Sequence, residues 1–205
     1  MPKIVATIIS WVFHPLLMPF YGLLLIFHYN SYLQYNLTDG AKEAIYKVVI
    51  ASTFIFPVIC VLIFKLKGNI QSLHLETIQE RRYPFLLTSI SYMLGYYLLQ
   101  RLELPTIFIR VILGATISVT LAVIITLGWK ISVHSIGIGG IIGTLLAMSR
   151  ILYVDIRFPL MISIIIAGII GSARLSLNEH TPSQIYAGIL IGFLSEYMIL
   201  TINLY

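Results

Sequence analysis

Apolar residues run through this chain in blocks of roughly 20, the length that crosses the hydrocarbon core of a bilayer, and the charges between blocks come singly or in pairs. Of its 205 residues 59% are hydrophobic and 10% charged, against about 45 to 50% apolar in an ordinary soluble domain, and the mean hydropathy is +0.95. Such a chain belongs in a membrane. Because lipid offers backbone amides no partners, the expected fold class is all-α, a polytopic membrane bundle of six or seven spans. That many crossings uses residues 1–205 as one integral membrane domain and leaves no room for a separate soluble one. The net charge of +5 is scattered among the apolar blocks, which suits anionic lipid headgroups and not nucleic acid. The single cysteine, Cys60, lies inside an apolar run, which excludes an intrachain disulfide and a cysteine metal cluster.

Prolines and polar interruptions mark the spans. The first, about 4–29, contains His14, Pro15 and Pro19. Proline removes an amide donor and kinks a helix, so this segment is expected to be broken or re-entrant, with His14 satisfying backbone freed at the kink. Only Lys3 precedes it and no small-residue cleavage site follows, which reads as a retained helix and not a signal peptide. The second span is placed at 44–64 with Pro57 inside it, and the longest polar connection at 68–84. The remaining spans fall at 85–100, 106–129, 132–153, 158–173 and 182–204. Trp129 and Lys130 read as interfacial anchors. Ser135, Gly139 and Gly143 on the fifth span and Gly188 and Gly192 on the last form small-residue packing faces. Glu196 would cost roughly 2.5 to 3.5 kcal/mol near the bilayer centre and is expected to face the bundle, towards a polar group such as Arg110.

Polar residues fit for chemistry gather at three places. Between the last two spans stand Arg174, Asn178, Glu179, His180 and Gln184. Arg174 and His180 would be rotated by about 240° on one continuous helix, so they converge only if the chain turns between them. The run from Thr181 to Gln184 supplies a helix start: Thr181 as N-cap, Pro182 at the first helical position, Gln184 reaching back in a capping box. His180 therefore precedes a helix N-terminus, where backbone donors and the dipole favour an anion. The second cluster is Ser132 and His134, and the third is Arg81 and Arg82. Two spans separate the arginine pair from His134 and two more separate His134 from Arg174. Even crossing counts return all three clusters to one face, as a shared site requires.

These clusters resemble the motifs of the type 2 phosphatidic acid phosphatase superfamily, the membrane lipid phosphatases related to bacterial acid phosphatases and vanadium haloperoxidases. The likeness covers about 76–200. Its third motif, Ser-Arg, five residues, His, three residues, Asp, is matched by Ala173, Arg174, His180 and Gln184. The second, Pro-Ser-Gly-His, is similar to the run from Ile131 to His134, with serine and histidine kept. The first, a lysine followed seven residues later by Arg-Pro, is similar to Arg81-Arg82-Tyr83-Pro84, with no lysine at the expected distance, where His74 or Leu75 stands.

The resemblance implies a membrane lipid phosphatase acting on a lipid phosphate monoester or diphosphate through a phosphohistidine intermediate. It makes His180 the nucleophile and His134 the acid. Arg174 and one of Arg81 or Arg82 would hold the phosphate oxygens, and Ser132 would add a hydrogen bond. Gln184 stands where the family has its orienting aspartate; it can accept the same hydrogen bond but brings no negative charge. No cofactor is implied, and no carboxylate cluster suited to magnesium accompanies the site. The expected partners are the lipid substrate and membrane lipids. The expected location is a bacterial-type inner (plasma) membrane, with the site on the non-cytoplasmic face. The alternative is a non-catalytic relative that binds or transports phospholipids through the same anion pocket.

Overall fold

The structure is a computed structural model describing residues 1–29, 36–68, 70 and 77–202, among which there are helices and no strand. In chain order the helices are α1 (Lys3–Val12), α2 (Met18–Tyr29), α3 (Asp39–Leu66), α4 (Ile78–Gln100), α5 (Thr106–Thr126), α6 (Val133–Leu152), α7 (Arg157–Ser176) and α8 (Pro182–Thr201). Six stretches are long and apolar enough to cross a membrane: Lys3–Tyr29, α3, α5, α6, α7 and α8. The chain is a multi-pass helical membrane protein. The helix left out, α4, has 23 residues and carries Glu80, Arg81 and Arg82 near its start; at ~1.5 Å per residue it is about 35 Å long and lies along α5.

The first apolar stretch is broken, as its prolines predict. Between α1 and α2 lies a 3₁₀ turn at Pro15–Leu17, and His14 caps it by accepting the Leu16 N–H on Nδ1 at 3.4 Å. The Tyr21 hydroxyl donates to the Val12 carbonyl at 2.9 Å. On a straight helix residues nine apart are separated by about 13 Å, so this bond ties the two segments together at the bend, while α1 packs on α7 and α2 on α6. In α3 the proline leaves a different mark: Ala51–Ile55 is a turn of π-helix just before Pro57. The wider turn absorbs the missing donor, and the Ser91 hydroxyl of α4 takes up the Ser52 carbonyl at 2.6 Å.

The start of α4 departs from the expected boundary at Phe85. The helix begins at Ile78, because Thr77 and Glu80 form a capping box: the Glu80 N–H donates to Thr77 Oγ1 at 3.3 Å and the Thr77 N–H to Glu80 Oε2 at 3.4 Å. Pro84 is tolerated inside this helix, its carbonyl accepting the Thr88 hydroxyl at 2.8 Å. The arginine pair is therefore helical, and successive helical residues diverge by about 100°. Arg81 turns inward and is 3% exposed, whereas Arg82 turns outward. His74 and Leu75 lie outside the described residues.

The tightest packing is between α6 and α8. A Cβ at Gly188 would stand 2.7 Å from the Ser132 carbonyl oxygen, one at Gly143 2.5 Å from that of Phe193, and those at Gly139 and Gly192 would collide with the carbonyls of Ile189 and Ile136. Both helices thus press backbone on backbone, as the four-residue spacing of small residues predicts. Elsewhere side chains fill the core: Leu23, Ile26 and Phe27 of α2 meet Phe108, Ile112, Ala147 and Met148.

Glu196 is buried as expected, but not against Arg110. The Arg110 guanidinium donates to the carbonyls of Leu200 at 3.3 Å and Ile202 at 2.9 Å, closing the end of α8. Glu196 instead occupies a space left by glycines, its Oε2 lying 2.6 Å from where a Gly114 Cβ would be. Charge near a helix C-terminus is favourable for Arg110, which is why the two did not pair.

Replacing Gly192 by valine forces α6 and α8 apart. We expect the thermal midpoint in detergent to fall by the equivalent of about 1 to 3 kcal/mol or more, while Leu190→Ala, on the exposed side of the same helix, stays within about 0.5 kcal/mol.

Candidate functional site

The ends of four helices meet at one face of the bundle. Ser132 caps α6, its Oγ accepting the Ser135 hydroxyl at 2.9 Å and the Ser135 N–H at 3.4 Å. That places His134 in the first turn of α6. Arg174 lies in the last turn of α7, and the chain then reverses through Asn178, whose φ is +55°, a left-handed conformation that asparagine accepts more readily than most residues. The Glu179 N–H donates to the Arg174 carbonyl at 3.1 Å across this reversal. Beyond it α8 starts with Thr181 as N-cap and Gln184 closing the capping box, so the turn inferred between Arg174 and His180 is present.

A cavity of about 340 Å³ opens among these ends. Its lining includes Arg81, His134, Arg174 and His180, together with Ser10, His14 and Glu179. The even-crossing argument for a shared face is met: three clusters far apart along the chain converge, Arg81 Nη1 donating to the Ile131 carbonyl 50 residues away at 3.4 Å. Two expected members stand aside. Arg82 is exposed and does not line the cavity, because it faces the other side of α4. Ser132 is fully buried and its hydroxyl serves the helix cap, also outside the cavity lining.

Hydrogen bonds assign the ring nitrogens of His180. Nδ1 lies 3.1 Å from Gln184 Oε1 and 3.2 Å from the Lys130 carbonyl. The Thr181 N–H donates to the same Oε1 at 3.1 Å, which fixes the amide with its oxygen towards the ring. Facing two acceptors, Nδ1 carries the proton, and Nε2 is left with a lone pair. That Nε2 is buried and has no hydrogen-bond partner. Gln184 thus closes the capping box and also accepts from the imidazole.

His134 is assigned in the same way. Its Nε2 is 3.2 Å from the Ser10 carbonyl, an oxygen that can only accept, so Nε2 donates and Nδ1 is the free position. Nδ1 is buried without a partner, as is Nε of Arg174. Ser10 also meets Arg174, its hydroxyl accepting from Nη1 at 3.1 Å. Three residues lining one cavity therefore each hold a buried nitrogen with nothing to bond.

Glu179 balances part of the positive charge. It is 3.2 Å from Lys130 Nζ and 3.6 Å from Arg174 Nη2. Burial alone would raise its carboxyl, but Lys130, Arg174 and Arg81 outweigh it and hold the group below the usual carboxylate value. His180 is lowered from 6.5 to about 4, first by burial and then by the charges of Arg81 and Arg174, against the bond to Gln184. At neutral pH its imidazole is uncharged, with the Nε2 lone pair free.

Sequence reasoning did not place Ser10, His14 or Lys130 in the site. Lys130 was read as an interfacial anchor, and it instead orders Glu179 and lends its carbonyl to His180. His14 sits edge-on to His134 with ring centroids 6.0 Å apart. The one available signal was His14-Pro15 itself, a polar residue at a predicted break.

A second cavity of about 100 Å³ adjoins the first, sharing Pro15, Leu16, Phe85, Thr88 and Val133 with it and reaching Thr144 and Glu196 in the interior. Its walls are mostly aliphatic and aromatic. Among the described residues no group of three His, Cys, Asp or Glu side chains could hold a metal ion.

A histidine kept neutral by folding makes stability depend on pH. Between about 4 and 6.5 the unfolded chain binds a proton at residue 180 that the folded chain does not, so stability rises with pH through this window and is level above it. Melts of the wild type should steepen as pH falls from 6.5 towards 4, by up to about 1.4 kcal/mol per pH unit from this group, and His180→Asn should flatten that slope. The chain matches no protein-family model, no curated protein and no solved structure.

Proposed function

We propose that this protein is a membrane lipid phosphatase of the type 2 phosphatidic acid phosphatase kind, hydrolysing a lipid phosphate monoester or diphosphate through a phosphohistidine. The observation that carries this reading is the group of buried, unpartnered nitrogens on His180, His134 and Arg174 around one cavity. Burying such groups unpaired is costly; a phosphate ester supplies an acceptor and negative charge for the Arg174 Nε–H, an electrophilic phosphorus for the His180 lone pair and, when singly protonated, a donor for His134 Nδ1.

In the proposed reaction the His180 Nε2 lone pair attacks phosphorus and the bond to the leaving oxygen breaks. Arg174, with Arg81 lining the same cavity, offsets the charge on the transferring group. The positive charge that develops on His180 is shared through Nδ1–H with Gln184 Oε1 and the Lys130 carbonyl. His134, held at Nε2 by the Ser10 carbonyl, takes the proton of a singly protonated phosphate on Nδ1 and passes it to the leaving oxygen. It then takes one from water at the same atom as that water attacks the phosphohistidine, releasing phosphate and restoring His180.

An amphiphilic substrate follows from the two cavities: a phosphate among basic groups at the face, and a hydrocarbon chain entering the aliphatic space beside it. The site is read as lying on the non-cytoplasmic face of a bacterial-type inner membrane. One observation favours the second reading, a non-catalytic phospholipid binder or transporter. The group orienting His180 is the neutral Gln184 amide, which cannot offset an imidazolium as a carboxylate does.

Purified protein should release phosphate from short-chain phosphatidic acid, be inhibited by vanadate, and lose turnover by at least about a hundredfold in His180→Ala. Lipid binding with no turnover in the wild type would sink the enzyme reading and favour the binder. Gln184→Glu keeps an oxygen in the same place and adds charge, so turnover should rise about tenfold or more; an unchanged rate with a shifted melting point would leave residue 184 a helix cap only.

A further inference from the structure

The break between α1 and α2 brings a third imidazole to the cavity, and its hydrogen bonding is complementary to that of His180. His14 stacks on Trp11 with ring centroids 6.1 Å apart and stands edge-on to His134. Its Nδ1 accepts the Leu16 N–H at 3.4 Å as the cap of the 3₁₀ turn. A nitrogen that accepts carries no proton, so in the neutral ring the proton is on Nε2 and that atom is a donor. His14 lines the cavity that also holds Arg174, Arg81 and His180.

A bound phosphate ester presents several oxygens, each wanting donors, and the free nitrogens of His180 and His134 hold lone pairs in their neutral rings. Arg174 Nε–H is a donor without a partner, but one side of a guanidinium does not satisfy a tetrahedral dianion. The position that meets this need is the Nε2–H of His14. We propose that His14 is a phosphate-binding residue, donating its Nε2–H to an oxygen of the bound phosphate monoester. This rests on the phosphatase reading and extends its site to the N-terminal segment. It also gives the fold a reason to break the first span where it does: the 3₁₀ cap fixes which ring nitrogen faces the ligand.

Two substitutions separate binding from capping. Asparagine reproduces the Nδ1 position of histidine and can keep the Leu16 N–H bond, but it has no group at Nε2; glutamine reproduces Nε2 as an amide donor and gives up the cap. With orthovanadate and inorganic phosphate as probes, His14→Asn should weaken binding by about tenfold with little change in melting point. His14→Gln should recover most of that binding despite a lower melting point. Turnover of short-chain phosphatidic acid should follow the same order, and loss confined to the lipid with inorganic phosphate binding intact would assign His14 to the lipid and not to the phosphate, overturning the proposal. The reverse order, with asparagine equal to wild type and glutamine defective, makes His14 a structural cap and overturns it while leaving the phosphatase reading untouched. If wild-type protein neither binds the oxyanions nor turns over lipid phosphate, both readings fall together. In wild-type protein with ¹⁵N-labelled histidine, the His14 ring should carry its proton on Nε2 and that resonance should move when phosphate is added; a proton on Nδ1 would refute the assignment without any variant.

Discussion

The glycine-lined contact between α6 and α8 is the constraint from which the site follows. Both helices begin at the same face, and the carbonyls of Ser132 and Ile136 lie where Cβ atoms of residues 188 and 192 would otherwise be. Backbone-to-backbone approach of this kind permits weak Cα–H to carbonyl contacts and dispersion over a long surface. It also fixes the register of one helix start against the other. His134 in the first turn of α6 and His180 just before α8 are thereby set in one cavity with no covalent or ionic link between them. Loosening the contact would shift the two imidazoles relative to each other, and the proposed reaction needs both in register.

On this frame the charged groups are arranged to leave an anion wanted. Glu179 is shared between Lys130 and Arg174, so it steadies the cluster without satisfying Arg174, whose Nε remains unbonded. Burial of a cation is tolerated when hydrogen bonds and opposite charge are close by, and here the Ser10 hydroxyl and Glu179 supply part of that. The remainder is what the proposed phosphate would supply. The same burial that leaves Arg174 with this deficit also holds His180 neutral, so one physical cause underlies both features on which the proposed chemistry rests.

Much of this was legible in the chain because the informative residues obey local rules. The apolar blocks gave the spans, Thr181 to Gln184 gave the start of α8, and the spacing of Gly139, Gly143, Gly188 and Gly192 gave the closest helix pair. The convergence of three distant clusters came from counting crossings, an argument that needs no side-chain detail. What escaped depended on rotation and on tertiary contact. Choosing Arg81 over Arg82 requires knowing that α4 starts at Ile78, and the Thr77–Glu80 box that sets this start lies inside the stretch 68–84, which reads by composition as a polar connection. Ser10 is an ordinary polar residue on an apolar helix, and nothing local says that its carbonyl and hydroxyl will meet His134 and Arg174 more than a hundred residues away. Pairing Glu196 with Arg110 failed for the complementary reason: an arginine at that depth reaches the open carbonyls of α8 more easily than a carboxyl inside the bundle.

Gln184 decides how the proposed chemistry compares with that of a carboxylate-assisted histidine. An amide in this position is harmful in general because it can turn its NH₂ towards the ring and select the wrong tautomer. Here it cannot do so without abandoning the Thr181 N–H, which needs the oxygen, and the Lys130 carbonyl presents a second acceptor to Nδ1 from the other side. The tautomer is therefore set by two independent acceptors, and the loss relative to a carboxylate is confined to charge. Charge matters most when the histidine becomes cationic on attacking phosphorus, and a dianionic substrate beside it supplies some of the compensation that the side chain does not. The capping box thus turns a neutral residue into an adequate orienting group, at the cost of basicity alone.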